Sequence, residues 1–217
     1  ATTASADPGL LLEAARARTR LGNVYLMLNL PDKATSTFQT ALADLTLLEQ
    51  NYKLPETGFD LAVCMSRLAR AQARYGETKS AVTAYQNALA RFQKRAGSFT
   101  DSERLTIANT HTEFAGLLRS VDDWAMAESQ LQLALTVLDE IQSPETRESV
   151  QVHATVLHEQ ALGKTNSNLL NEAAECLAEA IGLHTRLLET EGLDLPTLEG
   201  LAQCRISLAT LRRRQSN

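Results

Sequence analysis

One eight-residue pattern returns four times along this 217-residue chain in nearly constant steps. It reads Ala34, Phe38, Ala41; then Ala81, Tyr85, Ala88; then Ala127, Leu131, Ala134; and last Ala173, Leu177, Ala180. The first step, Ala34 to Ala81, is 47 residues, and the next two are 46 each. A small residue at i and i+7 with a large apolar one at i+4 lies on one face of a helix. Recurrence at such a period marks a stack of like supersecondary units.

A second pattern keeps step with the first: Leu21-Gly22, Leu68-Ala69, Phe114-Ala115 and Gln160-Ala161. Short breaker clusters separate the two patterns in every copy: Asn29-Leu30-Pro31-Asp32, Tyr75-Gly76-Glu77, Ser120-Val121-Asp122-Asp123 and Asn166-Ser167-Asn168. Each copy therefore reads as a helix, a turn and a second helix folded back on the first. Small residues stand at the contact, with Phe38 and Tyr85, later Leu131 and Leu177, wedged beside them. The fourth copy departs from the pattern, with Gln160 where Leu is expected and Lys164 where an aromatic or Leu belongs.

The apolar pattern runs past the last Ala of each copy, so the helices are expected to be long, about 18–22 residues, or near 30 Å. Between copies, Thr100-x-x-Glu103 reads as a capping box. Ser143 before Pro144 reads as an N-cap with Pro at the first helical position. Lys53-Leu54-Pro55-Glu56 and Gly192-Leu193-Asp194-Leu195-Pro196 mark the other junctions. A last helix over roughly 196–214 carries Leu201, Leu208, Ala209 and Leu211 on one side. Its other side, with Gln203, Ser207, Thr210, Arg213 and Arg214, suits a cap facing water. The expectation is an all-α, right-handed solenoid forming a single repeat domain over 1–217. Its pairs fall near 9–52, 56–96, 101–142 and 144–191, followed by the capping helix.

These residues and offsets resemble the tetratricopeptide repeat (TPR) family. The long period resembles the arrays of kinesin light chains and the non-catalytic regions of some bacterial Ser/Thr protein kinases. The resemblance implies a protein-binding module that does no chemistry of its own. It also implies a concave face lined by first helices. Ligand-facing positions are then Arg16, Thr19, Arg20, Asn23 and Leu26 in the first copy, and Val63, Ser66, Arg67, Arg70 and Arg74 in the second. The third offers Asn109, Thr112, Glu113, Gly116 and Arg119, the fourth Thr155, His158, Glu159 and Thr165. The groove residues proper are Arg16, Thr19, Arg20, Asn23, Arg67, Arg70, Arg74, Asn109 and Arg119. The clamp by which chaperone-binding TPR domains hold a C-terminal carboxylate has Thr19, Asn23, Arg67, Asn109 and Glu113 at its positions here. Two of the five match and Glu113 repels, so that activity is not expected. Clustered arginines still suit an acidic peptide, by two-pronged contacts to carboxylates; the plain alternative is that they lie over neighbouring Ala and Leu.

Charge is uneven. Residues 1–100 hold 12 Lys/Arg against 8 Asp/Glu, net +4, and residues 101–217 hold 9 against 18, net −9. Such polarity suits an acidic ligand on the first half, or head-to-tail self-assembly into a homo-oligomer. No apolar run reaches the ~20 residues that span a bilayer, so no membrane partner is expected. The N-terminal stretch Ala1 to Pro8 lacks the build of an intact signal peptide. Cys64, Cys176 and Cys204 match neither zinc nor redox spacing and read as buried, reduced thiols, which fits the cytoplasm.

Motifs for chemistry do not assemble. His158-Glu159 opens like a zinc-protease helix, but Leu162 stands where the second His belongs, and His153 lies on another face. His111 and His184 stand singly, so neither a metal nor any other cofactor is expected. There is no phosphate loop, nucleophile motif or kinase signature. Trp124 is a candidate hot spot or a residue packed on its own turn. Basic residues do not interleave with aromatics, which argues against nucleic acid. The expected function is a non-enzymatic protein–protein interaction module. The alternatives are a regulatory region of a larger enzyme such as a bacterial Ser/Thr protein kinase, or a self-assembling scaffold.

Overall fold

A computed structural model describes residues 7–54, 56–95, 99–144 and 146–216. Among them the secondary structure is all helix: α1 (Pro8–Met27), α2 (Pro31–Tyr52), α3 (Thr57–Tyr75), α4 (Thr78–Lys94), α5 (Asp101–Ser120), α6 (Trp124–Asp139), α7 (Arg147–Asn166), α8 (Leu170–Glu191) and α9 (Leu195–Gln215). They form two compact units, Ala1–Gly97 with α1–α4 and Ser98–Asn217 with α5–α9. Lengths run from 16 residues in α6 to 22 in α2 and α8, so the expected range holds except for α4 and α6, which are shorter.

The four turns inside the pairs are one device used four times. Each first helix ends on a left-handed residue: Asn29 (φ 56°), Gly76 (87°), Asp122 (62°) and Asn168 (59°). The next residue's N–H reaches back to a carbonyl five positions earlier, as in Leu30 to Tyr25 (2.9 Å) and Leu169 to Lys164 (2.8 Å). The left-handed residue's own N–H bonds a carbonyl three back, which completes a Schellman cap and leaves fewer helix-end carbonyls unmet. Only Gly, Asn and Asp stand at these four positions, the residues that tolerate a left-handed backbone best. The chain then re-enters a helix so that Ala34, Ala81, Ala127 or Ala173 falls five residues after the left-handed one.

Those alanines are buried, as are Gly22, Ala69, Ala115 and Ala161 of the preceding helices. Phe38, Tyr85, Leu131 and Leu177 fill the wedge, each at most 3 % exposed. At Gly22 there is no room for a side chain, since an added Cβ would lie 2.5 Å from the Phe38 ring. Gln160, the odd residue of the fourth copy, is also buried, so that copy keeps register. Leu21 behaves differently from Leu68 and Phe114: it is 45 % exposed whereas they are buried. Leu68 and its neighbours face the second helix of the pair before, and α1 has no such helix among the described residues.

In unit 1 the core runs from Leu12 and Ala15 through Phe38, Ala41 and Leu45 to Leu61, Cys64 and Ala71, binding α1, α2 and α3. In unit 2, α9 lays Cys204 and Leu211 onto the α7–α8 core around Ala154, Leu157, Ala161 and Leu177. Three details differ from the sequence reading. Helix α7 begins at Arg147, capped by the Thr146 hydroxyl, which accepts from the Ser149 N–H (3.3 Å). Ser143 is not that cap; its N–H donates to the Asp101 carboxylate (3.0 Å). Cys176 is only half-buried, unlike Cys64 and Cys204, and all three thiols are free. The capping box at Thr100 and Glu103 forms as expected, whereas Pro55 of the first junction lies outside the described residues.

Candidate functional site

First helices within a unit are tied to one another by polar bonds between residues 40 to 49 apart in sequence. In unit 1, Arg16 bonds Asp60 through Nε (3.0 Å) and also pairs with Glu13 (2.7 Å). Its guanidinium pKa is raised, chiefly by the Asp60 bond. Burial pushes the Asp60 carboxyl up in spite of that bond. Arg70 donates to the Asn23 amide oxygen (3.1 Å) and Arg74 to the Leu26 carbonyl (2.9 Å). Thr19 is half-buried and donates to the Ala15 carbonyl (3.1 Å), Arg67 is half-buried on α3, and Arg20 is exposed on α1. The structure thus brings Asn23 and Arg70 together, and it gives Arg16 acidic partners of its own.

In unit 2, Asn109 and Arg119 both stand on α5. Arg119 is bonded to Glu159 of α7 (3.0 Å). Asn109 lines a cleft of about 350 Å³ between α5, α7 and α9, beside Ser102, Thr106, Gln151, Thr155 and Glu148. Apart from Glu148 these are uncharged hydroxyls and amides. Ser66 and Thr112, which the family resemblance places toward a ligand, are buried, and their hydroxyls go to their own helices' carbonyls at Val63 and Ala108.

Three histidines of this unit are buried, and one of them, His184, lines the cleft. His184 reaches the cleft wall from α8, is buried, and leaves its Nδ1 without a hydrogen-bond partner among the described residues. Gly200 of α9 packs flat against its ring, where a Cβ would come within 2.6 Å. His158 bonds the Ser207 hydroxyl (2.9 Å), so Ser207 faces inward and not to water as expected of a cap. His111 bonds Gln130 (2.8 Å). Burial lowers the pKa of all three; the nearby charge of His158 adds to the effect at His184. Among the described residues no group of His, Cys, Asp and Glu is placed to hold a metal. None of their helices is long and apolar enough to cross a membrane. Trp124 is half-buried against a small hollow bordered by Arg119, Leu131 and Glu159.

Solved structures with this arrangement are TPR-like repeat proteins. BtubC (BKLC) from P. vanneervenii aligns over 97% of this chain and 76% of its own, at 17% identity and a TM-score of 0.73. A Podosopora anserina kinesin light chain protein of nearly identical TPR-like repeats aligns over 97% and 92%, at 17% identity and 0.63. The yeast histone chaperone Hif1 aligns over 94% and 97%, at 13% identity and 0.55. No protein-family model matches the chain, and no curated protein matches it. At these identities the likeness is one of fold: the chain has the TPR-like helical-repeat fold.

Proposed function

We propose that this TPR-like helical-repeat chain is a non-enzymatic protein–protein interaction module that seats a partner segment on the faces of its first helices, an acidic segment in unit 1. The observation that carries the reading is the α1/α3 face. Arg16, Arg20, Arg67, Arg70 and Arg74 lie on these two helices, with Arg16 paired to Glu13 and Asp60 and Arg70 bonded to Asn23. Guanidinium groups already oriented by neighbours lose less freedom when they grip a carboxylate. The likeness to Hif1, described as a scaffold recruiting protein complexes to core histones, supports a scaffold in general. Free thiols at all three cysteines support a reducing compartment such as the cytoplasm.

The double substitution Arg67→Glu/Arg70→Glu is expected to abolish capture of the partner in an affinity isolation read by mass spectrometry. Arg20→Glu/Arg74→Glu tests the same face from its exposed arginines and guards against loss of fold in the first variant. Capture unchanged in both, with helicity intact by circular dichroism, sinks the groove assignment.

Charge favours one further reading, a self-assembling scaffold. The change from net +4 to net −9 falls at the border of the two compact units, because Ser98, Phe99 and Thr100 carry no charge. Assembly through those charges dissolves as salt rises. Sedimentation that shows no larger species at low ionic strength eliminates it.

A further inference from the structure

Helix α9 closes unit 2, yet its register is that of a first helix. Its buried Thr197, Leu201, Cys204 and Leu211, with Leu208 on the same core, repeat the spacing of Thr57, Leu61, Cys64, Leu68 and Ala71 in α3. On that spacing Ala202, Ile206 and Ala209 take the places of Ala62, Ser66 and Ala69. In α3 those three are fully buried on the side of α4. In α9 all three are exposed, Ile206 at 61 %, and no helix among the described residues covers them. Ile206 stands where the other first helices hold Thr19, Ser66, Thr112 and His158, so the uncovered copy has the most apolar residue of the five. Leu195 and Leu198 extend the stripe toward the start of the helix.

The other four pairs say what fits there. Each is covered by a helix with a small residue, a large apolar one four later, and a second small one seven later. In the fourth pair an acid precedes the first small residue: Glu172, beside Ala173, bonds Lys164 at 2.5 Å. Lys164 lies three residues after the small residue of α7; Arg212, exposed, lies three after Ala209. We propose that the outward face of α9 is a docking surface for an amphipathic helix of this second-helix type, carrying an acid for Arg212 and completing a fifth pair. This face continues the interface repeated in every pair of this chain, and it is separate from the proposed groove.

The test is an NMR titration of the 217-residue chain with a synthetic peptide of residues 170–191. The amides of Ala202, Ile206 and Ala209 are expected to shift saturably. Ala209→Arg, on an exposed position, should weaken binding about ten-fold or more, because a charge would be buried at the contact. Peptide carrying Glu172→Arg should bind the native chain less well and recover on Arg212→Glu. Shifts that are absent, that fall on other helices, or that persist in the Ala209→Arg chain overturn the proposal. So does sedimentation at the same concentration showing that the native chain self-associates and that Ala209→Arg abolishes it, since a second copy would then be the occupant. The Arg67→Glu/Arg70→Glu chain should keep these shifts, which separates this outcome from the fate of the groove.

Discussion

At the scale of single residues, Gly22 leaves no room beside Phe38: a Cβ added there would lie 2.5 Å from the ring. The other copies put Ala opposite Tyr85, Leu131 and Leu177, so a ring alone does not demand glycine; it is the placing of the Phe38 ring that excludes a Cβ at Gly22. Gly22→Ala is expected to cost ~1–3 kcal/mol, the usual penalty for overpacking a well-filled contact. Phe38→Leu in the same chain should return part of that loss, since Leu already faces Ala115 and Ala161. Chemical unfolding of the two variants and their combination checks this; equal losses that simply add would show that the two side chains do not compete for the same space. The alanine column was readable in advance because small residues at a fixed period leave a trace in the sequence alone. The bonds joining Arg16 to Asp60 or His158 to Ser207 were not. Their partners are 44 and 49 residues apart, and nothing local in either residue tells which of many exposed faces it will meet.

Among elements, helix boundaries show where local chemistry stops deciding. Ser143-Pro144 and Thr146 both satisfy the rules for starting a helix, and the sequence offers no ground for ranking them. The choice falls to Asp101, at the head of α5, whose carboxylate takes the Gln142 and Ser143 N–H groups (3.2 and 3.0 Å) and holds that stretch out of the helix. Thr146→Ala should therefore cost ~1 kcal/mol, as loss of an N-cap does, while Ser143→Ala stays close to native. Thermal unfolding of the pair distinguishes them, and the opposite ranking would move the start of α7 back to Pro144. The same limit applies to α9. The stripe read from Leu201, Leu208, Ala209 and Leu211 holds for the three leucines, but Ala209 is exposed on the other side of the helix; kinship with the first helices shows only where burial separates the column facing α8 from the column left open.

For the molecule as a whole, the two units differ in how they respond to acid. His111, His158 and His184 all belong to unit 2, and burial lowers the pKa of each below the ordinary histidine value near 6.5. The folded unit therefore binds these protons less readily than the unfolded chain. The stability that these neutral imidazoles contribute is fully present above pH 6.5 and declines as pH falls from there toward the lowered folded values. Glu159 beside His158 and Asp194 beside His184 pull the other way, but burial is the larger cause at both. Asp194 is held below its usual range by its bonds to Thr197, so its contribution fades only in stronger acid. The chain carries its own reporters, because Trp124 lies in unit 2 and all four tyrosines, Tyr25, Tyr52, Tyr75 and Tyr85, lie in unit 1. Urea unfolding followed by tryptophan emission should show a midpoint that drops between pH 7.5 and pH 5.5. The tyrosine-reported midpoint should move less, as unit 1 contains no histidine. His184→Gln together with His158→Gln should flatten the tryptophan-reported dependence. A tryptophan midpoint that is level across this range, or that rises toward acid, would mean that the buried imidazoles are not what ties unit 2 to pH.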